Sequence, residues 1–181
     1  MTVTSDVAEQ PAQAAEQERR EAAARARDHN HLTVAACYAG ALAAAAVLGR
    51  RRGVTVPSVS AWDTARMAAA TYKGSRLLAK DKVTAPLRAP FTRPVEPGAG
   101  SEVNDEPTGE GARRTVGELL SCPFCLGQWI ATGLAVGLVF APRMTRLVAS
   151  TLTAAAGADF LHYAYTAAQQ LPAAVASTEG E

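Results

Sequence analysis

Three long stretches of the sequence carry almost no charge, and they limit the folds open to the chain more than any other feature. Residues 32–49 and 126–141 contain no charged side chain, and residues 147–170 contain one carboxylate, that of Asp159. A membrane-spanning helix needs about 17–25 predominantly apolar residues. The three arginines at 50–52 end the first stretch abruptly, which is typical of a helix that reaches the membrane surface. The sequence therefore predicts an all-α integral membrane protein, although a buried helix of a soluble protein is a second interpretation of residues 32–49.

The two stretches in the last third are joined by a short turn, residues 142–146, that contains one proline and two arginines. Two helices joined by so short a connection pack as an antiparallel pair. The sequence therefore predicts a C-terminal transmembrane hairpin formed by 126–141 and 147–170, followed by a tail, 171–181. Gly and Ala recur in both stretches, and small residues let helix backbones approach closely in a membrane.

The composition agrees with a membrane protein and argues against several other classes. Apolar residues make up 48% of the chain and aromatic residues 6%. Ala dominates the apolar set and buries little surface, so a water-soluble core built from it would be thin. The net charge of +1 provides no overall basic field for nucleic acid. Three cysteines are too few for a secreted disulfide scaffold.

The other segments are more polar. Residues 1–31 are rich in Ala, Glu, Gln and Arg and lack an apolar stripe, which predicts a disordered tail or a solvated, fraying helix. Ser60 is predicted to cap a helix over 61–80, in a capping box with Asp63. That helix either lies at the bilayer surface as an amphipathic helix or forms a fourth span. Residues 92–114 are rich in Pro, Gly and acidic side chains, which predicts a flexible loop.

Basic residues mark the cytoplasmic side of a membrane protein, and they orient the chain in both span arrangements. With three spans, residues 50–125 share a side with the C-terminus and contain twelve basic residues, against six opposite. With four spans, the N-terminus, the 80–125 loop and the C-terminus share a side that has ten basic residues, against five opposite. Both arrangements place the 80–125 loop and the C-terminus in the cytoplasm, and only the side of the N-terminus differs. Cys122 and Cys125 then face a reducing compartment, where lasting disulfides are rare.

Three segments together resemble a known family. They are SRLLAKDKVTAPLRAPFTR (75–93), GELLSCPFCLGQW (117–129) and TRLVASTLTAAAGADFLHYAYTAAQ (145–169). The combination of the first segment with C-P-x-C-L-G-x-W resembles the bacterial membrane family catalogued as domain of unknown function 1360, over roughly residues 59–170. The resemblance implies a small integral protein of the bacterial inner membrane and implies no reaction. Residues 32–49 lie outside the match and are interpreted as an added transmembrane anchor.

The predicted hairpin brings a set of polar side chains together at its cytoplasmic end. If the two helices fold back about their turn, His162 lies opposite Cys125 and Asp159 lies opposite Gln128. A carboxylate within a span is costly unless it is paired or wetted, so Gln128 and His162 are the predicted partners of Asp159. Cys122, Cys125, Asp159 and His162 then form one candidate cluster.

Four hypotheses account for this cluster. In the first, Gln128, Asp159 and His162 form a structural polar cluster between the helices, and the cysteines are small packing residues. In the second, the two cysteines bind zinc with His162 and Asp159, or with a second copy of the pair in a dimer. In the third, the C-x-x-C pair performs thiol redox chemistry at a helix N-terminus. In the fourth, Asp159 and His162 pass ions or protons.

The sequence contains no phosphate-binding loop, no G-x-S-x-G and no H-E-x-x-H. We therefore expect a non-enzymatic membrane or envelope component with no catalytic residue and no cofactor unless zinc is bound. Its expected partners are the lipid bilayer and a second copy or other members of a membrane complex, but not nucleic acid. The alternative is a metal-binding or thiol-redox membrane protein that acts through Cys122 and Cys125 with His162 and Asp159.

Overall fold

The computed structural model describes residues 4–98 and 102–178, and 78% of the chain is helical. Within these residues there are six α helices and one two-stranded sheet. In chain order the elements are α1 (Thr4–Arg51), α2 (Ala61–Lys80), a 3-10 turn (Lys82–Thr84), α3 (Ala85–Arg88), β1 (Thr92–Pro97), β2 (Val103–Pro107), α4 (Gly111–Ser121), α5 (Pro123–Phe140) and α6 (Pro142–Thr178). The mostly helical fold agrees with the sequence prediction, and the sheet is an addition to it.

Helix α2 begins at the predicted capping box. Ser60 is the N-cap, and its Oγ accepts a hydrogen bond from the backbone N–H of Asp63 at 3.0 Å. The Asp63 carboxylate in turn accepts from the backbone N–H of Ser60 at 3.3 Å. The same carboxylate binds the guanidinium of Arg146 on α6 at 3.2 Å. This carboxylate therefore fixes both the start of α2 and its position beside α6.

Helix α2 packs between α5 and α6. Ala70 of α2 is fully buried in a cluster with Leu134 of α5 and Ala149 of α6. At Gly74 a Cβ atom would meet the side chains of Ile130 and Leu152 at 3.5 and 3.6 Å, so the small residues of α2 let both neighbours approach. The predicted hairpin was expected to bring α5 and α6 face to face along their length. Since α2 packs against both helices, the opposing pairs expected from that simple hairpin do not form.

The helix directions alternate. Tyr38 and Gly49 of α1 contact Thr132 and Phe140 of α5, respectively, so α1 and α5 run parallel. Helix α2 runs the opposite way to α5. Its last residue, Lys80, lies near Cys122 at the start of α5, whereas Asp63 at its beginning pairs with Arg146, which follows the end of α5.

Helix α6 follows the direction of α2. Asp63 pairs with Arg146 near the start of both helices, and Lys73 pairs with Asp159 further along both. The four long helices are therefore arranged up, down, up and down. The turn between α5 and α6 is tight, because a Cβ at Gly137 would lie 2.6 Å from the Thr145 hydroxyl.

Within the part of the chain that the structure describes, two helical segments are long and apolar enough to cross a membrane. They are Asn30–Arg51, of 22 residues, and Pro123–Phe140, of 18 residues. The third predicted span, 147–170, is not one of them. It lies in α6, where Asp159, His162 and several hydroxyl residues lower the mean hydropathy.

Both ends of the chain are helical in the structure. Helix α1 continues back to Thr4, so residues 4–31 take the helical form that the sequence analysis gave as the alternative to a disordered tail. Ala, Glu, Gln and Arg are strong helix formers, which accounts for this outcome. The predicted tail 171–181 is likewise helical as far as Thr178, and residues 179–181, like 1–3, lie outside the described residues.

The segment predicted as a flexible loop, 92–114, contains regular structure. β1 and β2 pair antiparallel, with Thr92 opposite Pro107, and a bulge lies between Pro94 and Glu96. The acidic residues that suggested a solvated loop are instead used in ion pairs: Arg76 of α2 binds Glu102, and Arg88 of α3 binds Asp105 at 2.7 Å. These pairs hold the β hairpin against the end of α2.

Candidate functional site

The two cysteines of the C-P-F-C motif lie at the junction of α4 and α5. Cys122 is the single residue between the two helices and has an extended backbone (φ −104°, ψ 105°). As the N-cap of α5, it accepts a hydrogen bond at Sγ from the backbone N–H of Cys125, over 3.3 Å. Pro123 occupies the first turn of α5, where a missing N–H costs nothing. The motif therefore builds a helix start with a thiol as its cap.

The Cys122 thiol is more acidic than an ordinary cysteine. Burial is the largest single effect and opposes ionisation, but it is outweighed by hydrogen bonds from the Cys125 thiol and from the backbone N–H groups of Cys125 and Phe124. The nearby ammonium of Lys80 acts in the same direction, and the net result is a lowered pKa for Cys122. Cys122 is partly exposed and Cys125 is exposed. Reagents can therefore reach both sulfur atoms.

Helix α4 holds this junction against the β hairpin. A Cβ at Gly117 would lie 2.5 Å from the carbonyl oxygen of Phe91 and 3.1 Å from Cβ of Pro107. Only glycine allows so close an approach. The glycine that opens the GELLSCPFCLGQW segment thus fixes where α4 crosses the sheet, and with it the position of Cys122.

Asp159 and Gln128 are not partners, contrary to the sequence prediction. The Asp159 carboxylate accepts a hydrogen bond from the ammonium of Lys73 on α2 at 2.6 Å. The Gln128 side-chain amide donates to the Tyr38 hydroxyl of α1 at 2.8 Å. The physical reason is that α2 and α1 lie beside these helices. Helix α2 supplies the partner of Asp159 on α6, and α1 supplies the partner of Gln128 on α5, whereas the hairpin prediction considered only contacts between α5 and α6.

His162 and Asp159 line a cavity of about 280 Å³ between α2 and α6, close to Glu102 of the β hairpin. Aromatic rings form part of its wall, and Tyr72 and Phe160 stack with their centroids 6.3 Å apart. Two ion pairs, Lys73–Asp159 and Arg76–Glu102, border the cavity. The lining therefore combines aromatic and aliphatic side chains with two cations and three carboxylates, the third being that of Asp81.

The structure therefore separates the predicted four-residue cluster into two places. Cys122 and Cys125 lie together at the α4–α5 junction, and Asp159 and His162 lie in the cavity between α2 and α6. Among the described residues, no group of three or more His, Cys, Asp or Glu side chains is placed to hold a metal ion. The predicted one-copy arrangement of Cys122, Cys125, His162 and Asp159 is not formed.

Sequence reasoning missed the role of Arg88. Its side chain is 1% exposed and donates to the carbonyl oxygens of Leu78 and Asp81 at 2.9 and 3.0 Å. It also binds the hydroxyl of Thr84 and the carboxylate of Asp105, each at 2.7 Å. Carbonyl groups at a helix C-terminus have no partner within the helix, and the guanidinium supplies one. The sequence feature that could have indicated this role is the 75–93 segment, in which Thr84 and Arg88 follow Asp81 by three and seven residues.

Comparison with known proteins agrees with the resemblance stated above. No curated protein and no solved structure matches the chain. Residues 66–165 match a family described as protein of unknown function, DUF1360. The match covers more than half of the chain, from the second turn of α2 through most of α6, and includes the Arg88 contacts and the cysteine pair. This chain belongs to the DUF1360 family.

Proposed function

We propose that this protein is a four-span component of the bacterial inner membrane, with both termini and the β hairpin on the cytoplasmic side. The observation that carries the proposal is the direction of the helices. The two most apolar segments, Asn30–Arg51 and Pro123–Phe140, run parallel. If both cross the bilayer, the chain between them must cross back, and α2 runs antiparallel between them.

The exposure of the two apolar segments supports a bilayer as their solvent. Only 6% of the apolar window in Asn30–Arg51 and 11% of that in Pro123–Phe140 is buried within the molecule. A core helix of a soluble protein with this hydropathy would be covered by its neighbours. Water-soluble proteins seldom expose contiguous apolar surfaces of this extent, and lipid is the partner that covers a continuous helical one.

Helix α2 fits the role of a span despite its charges. Its 20 residues correspond to ~30 Å at ~1.5 Å per residue, about the thickness of the hydrocarbon core. Asp63 and Arg66 lie near one end and pair with each other, while Lys80 lies at the other end. Lys73 is further inside, and its ammonium is paired with Asp159. Charges within a membrane are tolerated when they face a partner helix and are neutralised there.

Helix α6 crosses in the same direction as α2 in this proposal. Its own hydropathy is lower than that of α5, but it follows α2 from Arg146 to Asp159, and its carboxylate neutralises the one ammonium deep in α2. The Lys73–Asp159 ion pair therefore lies between the two helices. A pair of this kind is stable in lipid only when both helices are present.

The distribution of basic residues sets the orientation. With α2 and α6 as spans, ten lysines and arginines lie on the side of the N-terminus and the α2–α5 connection, and five lie on the opposite side. The excess marks the cytoplasmic side. The β hairpin, α4 and the cysteine pair then form a cytoplasmic platform at the membrane surface. The lipid bilayer is the partner that this arrangement requires.

Cysteine accessibility in intact cells tests the topology. In a background that carries Cys37→Ala, Cys122→Ser and Cys125→Ser, single cysteines are introduced at exposed positions as Glu18→Cys, Ser58→Cys, Glu96→Cys and Met144→Cys. A membrane-impermeant maleimide should label positions 58 and 144 in intact cells. Positions 18 and 96 should be labelled only after the membrane is permeabilised.

The three-span arrangement gives a different result at two of these positions. It would place position 18 outside and position 58 inside, so exchanged labelling of these two sites contradicts the four-span proposal. Labelling of position 96 in intact cells would reverse the orientation. Equal labelling of all four sites in a soluble fraction would show that the chain does not cross a membrane.

A further inference from the structure

The C-P-F-C segment combines features that a packing role does not require. Cys122 links α4 to α5 without an intervening residue, and Sγ caps the helix rather than pointing into a core. The two thiols lie close enough to affect each other's pKa values. Phe124, between them, is 91% exposed. The pair therefore lies on the surface of the cytoplasmic platform and not in the interior.

We propose that Cys122 and Cys125 form a reactive dithiol that reduces disulfides of small molecules or proteins, with Cys122 as the attacking sulfur and Cys125 as the resolving sulfur. This activity goes beyond the membrane role proposed above and does not depend on the number of spans. It assigns a reaction class to the pair of cysteine thiols at the α4–α5 junction.

The geometry distinguishes the two sulfurs. A thiolate at Cys122 accepts the N–H of Cys125 at the start of α5, where the aligned peptide dipoles favour negative charge. Helix N-termini and nearby lysines are the settings in which cysteines become nucleophilic, and Lys80 lies close enough to act on Cys122. Cys125 lies one turn further along α5, and its backbone N–H donates to the Cys122 sulfur. The Cys125 sulfur is therefore placed to resolve the mixed disulfide in the second step rather than to attack the substrate in the first.

The exchange balances without another reagent. The Cys122 thiolate attacks one sulfur of a disulfide R–S–S–R, which forms a Cys122–S–S–R mixed disulfide and releases one thiolate R–S⁻. Cys125 then loses its proton to solvent, and its thiolate attacks the Cys122 sulfur. The second R–S⁻ leaves, and both released thiolates take up protons. The protein dithiol loses two electrons and becomes the Cys122–Cys125 disulfide, and the disulfide substrate gains them as two thiols.

The test uses the full-length protein purified in detergent, with glutathione disulfide as the probe and Cys37→Ala as the background. Incubation should give a protein that lacks two hydrogens, and peptide mapping should locate one disulfide between Cys122 and Cys125. Adding Cys125→Ser should trap one glutathione on Cys122. Adding Cys122→Ser instead should slow glutathione attachment about tenfold or more, because Cys125 lacks the stabilised thiolate.

The pH dependence provides a readout that a packing role would not produce. Alkylation by iodoacetamide of the variant with Cys125→Ser should reach half its maximal rate at a lower pH than alkylation of the variant with Cys122→Ser. The physical reason is that hydrogen bonds lower the pKa of Cys122. The same alkylation is measured on the background protein, which keeps both thiols. This control shows whether the reactivity seen in the variants is caused by misfolding.

Three results would overturn the proposal. One is stable glutathione attachment to both cysteines of the background protein without an internal disulfide. Another is equal reaction rates for the two single-thiol variants. The third is an alkylation midpoint of Cys122 at or above that of Cys125.

Discussion

Arg88 shows how one buried side chain can organise a family-specific segment. Its guanidinium binds two backbone carbonyls, the hydroxyl of Thr84 and the carboxylate of Asp105. These groups belong to the end of α2, the 3-10 turn and β2. Since arginine presents five donors in a planar fork, no other side chain can satisfy this set of acceptors. The residue thus joins the end of α2 to the β hairpin.

Replacing Arg88 by methionine should destabilise the folded protein by about 3–5 kcal/mol, because Asp105, only 5% exposed, would remain as an unpaired buried charge. Arg93→Met is the matched control. It also removes an arginine–carboxylate pair of the β hairpin, with Glu106, but its side chain is 70% exposed, so the loss should stay below ~1 kcal/mol. Unfolding in detergent, followed by circular dichroism, measures both. Equal losses would contradict the structural role of Arg88.

At the level of elements, α2 decides how the helices are arranged. Its small residues, Ala70 and Gly74, admit α5 on one side and α6 on the other. Its one deep ammonium, that of Lys73, finds its partner on α6 rather than on its own helix. Helix α2 therefore packs between α5 and α6, and it also carries the ammonium that Asp159 neutralises.

Asp159→Leu should lower the amount of folded protein in the membrane, because the ammonium of Lys73 would be left without its partner. Insertion scales put the cost of a charge at a helix centre at ~2.5–3.5 kcal/mol. Lys73→Met combined with Asp159→Leu should recover most of the loss, since it removes both charges. Size-exclusion chromatography of a fluorescent fusion measures the folded fraction. If the double variant is no better than the single one, the ion pair is not the reason for the loss.

For the whole molecule, the distribution of apolar and polar side chains is uneven. Only a small share of the apolar windows in Asn30–Arg51 and Pro123–Phe140 is buried within the molecule, while ion pairs lie between α2 and α6 and around the β hairpin. A molecule with this distribution is amphiphilic as a unit, which supports the membrane location proposed above.

The full chain should therefore sediment with membranes after cell lysis, resist extraction by alkaline carbonate and require detergent for release. Ultracentrifugation followed by immunoblotting of a tagged chain measures each step. The matched comparison is a soluble cytoplasmic protein with the same tag, which should stay in the supernatant throughout. Release of this chain as a monodisperse species without detergent would contradict both the membrane location and the four-span topology.

Several features could be read from the sequence because they depend on local chemistry. The capping box of Ser60 and Asp63 formed as predicted, since it involves only neighbouring backbone groups. The family was identified from motifs that occur in order along the chain, and the 66–165 match confirms it. The helical class also followed from residue type, because long apolar stretches without breakers favour helices.

Other features depended on which helix lies beside which. The hairpin geometry assigned Gln128 and His162 to Asp159, but Lys73 supplies the partner because α2 packs against both α5 and α6. The acidic loop was interpreted as flexible, but Arg76 and Arg88 bind its carboxylates and order it as a β hairpin. No local pattern contains such information, since an ion pair forms between residues that only the fold makes neighbours.

The sequence by itself determined the helical class, the family, the capped start of α2 and two of the three segments predicted to be apolar enough to cross a membrane. The tertiary structure decided the order in which the helices pack, the separation of the cysteine pair from Asp159 and His162, and the burial of Arg88. The physical reason is the separation along the chain over which each effect acts. Hydropathy, capping and helix propensity act within a few residues of the chain, whereas the choice of packing and charge partners is made by side chains that meet only after the chain has folded.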